Sequence, residues 1–225
     1  MKKFLALLML MLCILPAAHA DEDGLTITHS NLFITDDMAY FFARIENATS
    51  GSVPTATGKF VLYDKDGNEL YTNEYVAPTP VNVNLEPGDY LYFVDSFYIG
   101  DLDLPEDFSY ELSFDQLSER PSLQKILCEA ELVPANASDD SCYVYITATN
   151  TTDEMLHDLY FIAGVYDAEG DLIYVDYISL GSRLALHPGS TLTASINIHS
   201  HIMKYYQANN ITPASVRAMV CYIGE

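Results

Sequence analysis

The sequence predicts an all-β protein built from two tandem sandwiches. Three observations carry that expectation: short stretches in which apolar and polar residues alternate, turn residues that punctuate them, and landmarks that recur once along the chain. Alternation is plain in Ala39, Phe41, Ala43 and Ile45 against Tyr40, Phe42, Arg44 and Glu46, the period of two that a half-buried strand requires. It returns in Cys142, Val144, Ile146 and Ala148 against Tyr143, Tyr145, Thr147 and Thr149.

The next elements follow in the same order in both places. Residues 58–63 and 159–166 read as strands, with Phe60 and Leu62 on the core face. Asp64-Lys65-Asp66-Gly67-Asn68 and Asp167-Ala168-Glu169-Gly170-Asp171 then read as hairpin turns, where Asp accepts backbone N–H bonds and Gly takes positive φ without steric cost. Residues 69–76 and 172–180 return as partner strands. Pro87-Gly88 and Pro188-Gly189 supply a further turn, Pro setting φ and Gly the left-handed position. Strands over 90–99 and 191–198 come after it. The one helical pattern is short, from Ile202 to Ala208.

These landmarks amount to an internal repeat. Asn47-Ala48-Thr49 recurs as Asn150-Thr151-Thr152, Tyr63-Asp64 as Tyr166-Asp167, and Tyr71 as Tyr174, each 103 residues on. Near the end of each copy, Pro105 with Phe108, Tyr110 and Leu112 matches Pro213 with Val216, Ala218 and Val220. Several short strands per ~100 residues, divided by turns, predict sandwiches of immunoglobulin-like type. The expected division is residues 21–114, a linker over 115–122 interrupted by Pro121, and residues 123–225. So short a linker favours two sandwiches packed end to end rather than swinging freely.

The run Phe60-Val61-Leu62-Tyr63-Asp64 spells the motif of the FxLYD domain family, and the order of turns around it is similar too. The second copy reads Ala163-Gly164-Val165-Tyr166-Asp167 and keeps only Tyr-Asp. The resemblance spans most of residues 30–222. It implies an extracytoplasmic β-sandwich on secreted bacterial or archaeal proteins, and it brings no catalytic residues or cofactor with it.

Charge excludes whole classes of partner. The 225 residues hold 10 Lys and Arg against 32 Asp and Glu, a net charge of -22. Such a chain has no means of releasing phosphate counterions from nucleic acid, and an anionic membrane surface repels it. Apolar residues make up 49% of the chain, too many for an acidic disordered protein. Residues 1–20 read as a signal peptide: Lys2 and Lys3, an apolar run from Phe4 to Leu15, then Ala18-His19-Ala20 as a cleavage site. The run is too short to span a bilayer. The expectation is a secreted or extracytoplasmic protein, cut after Ala20, with no membrane insertion of the mature chain.

Candidate sites are few. Cys128, Cys142 and Cys221 remain after cleavage, an odd number in a compartment that favours disulfides. Cys142–Cys221 is the favoured pairing and Cys128–Cys221 the next, with three reduced, buried thiols as the other alternative. His199-x-His201 suggests a metal pair but lacks a third ligand. Asp64, Asp66, Asn68 and Glu69 suggest calcium, yet Gly67 stands fourth where a calcium loop of the EF-hand type needs glycine sixth. Neither a metal nor a cofactor is expected. No G-x-S-x-G, phosphate-cradling loop or H-E-x-x-H occurs, so an enzyme is not expected. Asn-x-Ser/Thr sequons begin at Asn47, Asn136, Asn150 and Asn210; they read as turn residues unless the source is eukaryotic.

Tyrosine is the suggestive residue: 17 Tyr and no Trp. Tyr40 and Phe42, like Tyr143 and Tyr145, fall on the polar phase of their strands, where rigid aromatics offer contact area at low entropic cost. One reading makes them a platform for an envelope protein or glycan. The other has the neighbouring domain cover one of these faces. The resulting expectation is a secreted, non-catalytic binding module of the cell envelope. The alternatives are a calcium-dependent structural spacer and, third, an extracellular hydrolase.

Overall fold

The computed structural model describes residues 24–35, 37–55, 57–100, 108–114, 120–133, 141–181 and 184–223. The expected signal peptide, Pro105, Asn136 and most of the expected linker lie outside them. The first half contains β1 (Leu25–Thr35), β2 (Met38–Asn47), β3 (Val53–Pro54), β4 (Gly58–Asp64), β5 (Glu69–Val76), β6 (Pro78–Thr79), β7 (Asn84–Leu85), β8 (Tyr90–Tyr98) and β9 (Phe108–Phe114). The second contains β10 (Leu123–Ile126), β11 (Cys128–Val133), β12 (Cys142–Thr149), β13 (Tyr160–Tyr166), β14 (Leu172–Ser179), β15 (Thr191–Ile198), α1 (Ser200–Ala208) and β16 (Ser215–Ile223). The protein is all-β apart from α1.

Among the described residues no hydrogen-bonded sheet mixes strands from the two halves. The first half forms sheets in the order β1-β2-β8-β6 and β5-β4-β9, with a small β3-β7 pair. The second repeats this plan as β11-β12-β15 and β10-β16-β13-β14. Alternation fixes which face each strand buries. On β2, Ala39, Phe41, Ala43 and Ile45 are fully buried against the other sheet of their half. Phe41 meets Phe60 of β4 at a ring separation of 4.6 Å, and Phe93 of β8 meets Phe114 of β9 at 5.1 Å.

The turns repeat in detail. In the first hairpin Asp64 Oδ1 accepts from the backbone N–H of Asp66 and of Asn68, both at 2.8 Å. Asp167 Oδ1 accepts from Glu169 at 3.1 Å and Asp171 at 2.8 Å. Gly67 and Gly170 hold φ of 82° and 91°, a conformation that L side chains resist. Asn47 and Asn150 are both 0% exposed. Asn47 Nδ2 donates to Gly51 O at 2.7 Å and Leu85 O at 2.8 Å, and Asn150 Nδ2 donates to Glu154 O and Leu186 O at the same distances. Each Oδ1 accepts from the N–H of the Thr two residues on, at 2.9 Å. One buried amide thus ties the end of a strand to two loops, because a buried carbonyl without a donor is costly.

Ladder registers align the closing strands differently from the Pro105/Pro213 match. Tyr110 pairs with Leu62, and Val216 pairs with Val165, which is Leu62 moved on by 103. Tyr110 therefore corresponds to Val216, Leu112 to Ala218 and Phe114 to Val220. The pairing by proline is two residues out, since connections before the strands differ in length while the ladders do not.

The halves stack sheet on sheet and not end to end, because the outer sheet faces carry the apolar and aromatic residues that must be covered. The outer face of β1-β2-β8 meets the outer face of β13, β14 and β16, which gives four layers in all. Tyr92 of β8 and Tyr166 of β13 share a hydrogen bond between their hydroxyls at 3.0 Å, and Phe42 packs edge-on against Tyr174 at 5.5 Å. Asn31 Nδ2 donates to Leu172 O at 3.0 Å. At one end α1 seals the seam: Tyr205 stacks on Phe33 at 4.9 Å, and Tyr206 donates to Ile173 O.

Candidate functional site: an open aromatic face on the outermost sheet

Tyr143 and Tyr145 stand two residues apart on the middle strand of β11-β12-β15, so both project from the same face. Their rings lie nearly parallel, with an interplanar angle of 21° and centroids 6.3 Å apart. The opposite phase, Cys142, Val144, Ile146 and Ala148, is buried, which anchors the strand and fixes the aromatic pair. Tyr145 is 39% exposed. Across the ladder it faces Glu131 of β11 and Ser195 of β15. Beyond it the hydroxyls of Thr147 and Thr193 bond at 2.9 Å, and those of Thr149 and Thr191 at 3.1 Å. The surface is a rigid strip of phenol, hydroxyl and carboxylate groups, suited to contact through ring faces and hydrogen bonds.

The matching positions of the first half have the opposite fate. Phe42, the counterpart of Tyr145, is 1% exposed. Tyr40, the counterpart of Tyr143, stacks on Phe33 at 5.3 Å and bonds through its hydroxyl to His201 Nε2 at 2.8 Å. Phe42 is therefore not part of an open contact surface, because the second half covers it, while Tyr40 is half-buried at the edge of the junction beside α1. Arg44 is also buried there, its guanidinium 4.3 Å from the centre of the Tyr90 ring and 3.0 Å from Glu46.

The junction also explains one change within the repeated pentapeptide, at its variable second position. Gly164 replaces Val61, and a Cβ there would lie 2.4 Å from Tyr92 Oη. Only glycine lets that ring come so close. Burial pushes the Tyr92 hydroxyl far above its ordinary titration range, so it stays protonated as a hydrogen-bond partner of Tyr166.

The three thiols are free. The favoured Cys142–Cys221 pairing fails on strand direction. β12 starts at Cys142, beside Ile198, and ends at the Asn150 corner. Cys221 sits opposite Tyr160, where β13 begins, near that corner. The two cysteines thus belong to opposite ends of the sandwich, separated by about 20 Å of strand at ~3.3 Å per residue. Cys128, opposite Ala148, lies at the Cys221 end, and its thiol points to Ala218 O at 3.9 Å. Burial pushes the Cys221 thiol up to about 12 and raises Cys128 and Cys142 as well, the reverse of what a nucleophile needs.

The remaining candidates lie at the start of α1 and in turns. His199 and His201 stand side by side at the start of α1, rings 5.7 Å apart. Among the described residues no group of three or more His, Cys, Asp or Glu is placed to hold a metal ion. In the acidic hairpin, Asp64 Oδ2 accepts from Asn68 Nδ2 at 2.8 Å, so both oxygens already serve the turn, and these bonds hold its carboxyl below the usual range. Asn47 and Asn150 are fully buried and spend their amides on the carbonyls of Gly51 and Leu85 and of Glu154 and Leu186.

No family model matches the chain, and no curated protein matches it. Among solved structures it is similar to the Amycolatopsis orientalis exo-chitosanase CsxA, at 16% identity and a TM-score of 0.26 over 90% of this chain and 26% of that one. A red sea bream transglutaminase gives 10% and 0.26 over 87% and 29%. A β-glucuronidase from glycoside hydrolase family 2 gives 9% and 0.23 over 76% and 21%. The chain spans about a quarter of the length of these enzymes. Likeness at this level carries no argument about its activity.

Proposed function

We propose that the protein is a secreted, non-catalytic binding module of two FxLYD-type, immunoglobulin-like sandwiches, and that it binds a protein through the Tyr143–Tyr145 face. One observation carries this reading: the same repeat position is buried under a sheet in the first half and open in the second. In the first half that position shows what it accepts, namely the flat face of another folded sheet. The open copy presents hydroxyls, with Tyr145 where the first half has Phe42 and Thr147 where it has Arg44. That composition suits a contact that forms and parts, since the free face must remain soluble. A glycan is the second reading, favoured by the rows of threonine hydroxyls beside the stacked rings.

The test is a pull-down with residues 21–225 against envelope protein and glycan fractions of the source organism. A partner retained by the wild type and lost in a folded Tyr143→Ser/Tyr145→Ser double variant supports the reading. Capture that survives the double substitution refutes the face, and enrichment of glycan alone selects the second reading.

A further inference from the structure

The open face inverts the polarity of the covered one. Ladder register pairs His29 with Arg44 and Asn31 with Phe42 in the first half, and Glu129 with Thr147 and Glu131 with Tyr145 in the second. Glu129 and Glu131 therefore hold the places of His29 and Asn31, as Thr147 holds that of Arg44. At the junction these positions supply donors and cations. Asn31 Nδ2 donates to Leu172 O at 3.0 Å, and the His29 ring lies T-shaped to Tyr166 at 5.3 Å. Arg44 is buried over the Tyr90 ring and paired with Glu46. On the open face the same positions carry two carboxylates and a hydroxyl.

Nothing on that face offsets the two carboxylates. None of β11, β12 and β15 contains Lys or Arg. Glu129 and Glu131 are both exposed, and among the described residues neither has an ion-pair partner. Thr147 and Thr149 spend their hydroxyls on Thr193 and Thr191. What remains for a partner is acceptor oxygen and the ring of Tyr145, exposed beside Glu131. A guanidinium suits both at once, because its planar fork pairs with a carboxylate while its face lies on an aromatic ring. The protein already builds that arrangement from Arg44, Tyr90 and Glu46. A second copy of this chain fits poorly, since each copy brings a net charge of -22. Resting on the reading of this face as the binding surface, we propose that its partner is a basic protein presenting arginines at alternate positions of an extended segment. One guanidinium lies on Tyr145 and pairs with Glu131, and the next pairs with Glu129. Alternate residues of a strand repeat at ~7 Å, the same step that separates Glu129 from Glu131 along β11.

The probe is the peptide acetyl-Thr-Arg-Thr-Arg-Thr-amide, added to the intact mature protein at up to about 1 mM, the weak end of specific binding. The readout is the amide resonances of the nitrogen-15-labelled protein. The expected result is saturable shifts in β11, β12 and β15. Affinity should fall about tenfold when citrulline, neutral and of the same shape, replaces both arginines. It should fall about fivefold in Glu129→Gln/Glu131→Gln, several-fold in Tyr143→Ser/Tyr145→Ser, and further as salt is raised. No saturable shift in these strands, shifts centred on another acidic surface, equal binding of the citrulline peptide, or binding unmoved by Glu129→Gln/Glu131→Gln would each overturn the arginine proposal and leave the tyrosine face standing. Capture in the envelope pull-down that survives Tyr143→Ser/Tyr145→Ser overturns the face itself, and the proposal with it.

Discussion

Gly164→Ala tests whether the halves are locked together at Tyr92. The added Cβ would lie 2.4, 2.5 and 2.6 Å from Oη, Cζ and Cε1 of Tyr92, where ordinary carbon contacts need about 3.5–4 Å. The ring must therefore retreat by roughly 1 Å. It has little room, being fully buried with its edge against Tyr90 at 5.6 Å. Overpacking of this kind costs about 1–3 kcal/mol. Moving the ring also stretches the 3.0 Å bond to Tyr166, worth about 1 kcal/mol. Alanine recovers about 0.5–1 kcal/mol of backbone entropy relative to glycine. The net expectation is a loss of about 1–3.5 kcal/mol, read as a lower urea midpoint at unchanged slope. In a Tyr92→Leu background, which removes the clashing atoms, the same substitution should cost under about 0.5 kcal/mol, and the difference is the coupling energy. A cost below about 0.5 kcal/mol in the wild type, or an undiminished cost in the Tyr92→Leu background, would refute the locked junction.

Three further outcomes follow from the same geometry. Asn47→Ala and Asn150→Ala should each lower stability by about 2–4 kcal/mol in urea unfolding, since each removes the donor to one buried carbonyl, that of Leu85 or Leu186, together with the bonds that hold the adjoining turn, and the two values should agree within about 1 kcal/mol. His29 touches the Tyr166 ring and sits among Arg44, Arg217, Asp171 and Glu46; burial, with the two arginines, lowers its pKa below 6.5. The unfolded chain then binds the proton more readily, so stability should fall as pH drops below 6.5, and His29→Gln should flatten that part of the profile. The native protein should resist iodoacetamide at pH 8 at Cys221, whose thiol titrates at about 12, and react once urea opens the fold; rapid native labelling of Cys221 would contradict its burial.

Period two located β2, β4, β5, β8 and their counterparts to within a residue or two, because each buries one face and alternation records that. β1 escaped for the same reason. A register shift between Ile27 and His29 breaks its phase, and its outer face, with His29 and Asn31, is covered by the second half. The turns were legible because Asp64, Gly67, Asp167 and Gly170 have local roles. The cysteines were not, because their separation depends on which end of the sandwich β16 finishes at. Tyr40, Phe42, Tyr143 and Tyr145 were correctly placed on outer phases, but alternation says nothing about which outer phase another domain covers.

That missing information lies in the differences between the copies. The halves do not meet through equivalent surfaces: the first offers its β1-β2-β8 sheet, the second its β13-β14-β16 sheet. Such a contact is heterologous and leaves one unlike face free at each end of the stack. Positions related by 103 residues therefore face different surroundings, and their side chains differ accordingly. Val61 becomes Gly164 because Tyr92 needs the space. Phe42 and Arg44, desolvated at the junction, become Tyr145 and Thr147 on the open sheet. Asn47 and Asn150, Asp64 and Asp167, Gly67 and Gly170 stay the same because their partners lie within one half. Identity by itself does not separate scaffold from surface, since Tyr166 and Tyr174 match Tyr63 and Tyr71 and yet meet Tyr92 and Phe42 at the junction. It is the location of a residue's partners, within one half or across the junction, that decides what a change there does.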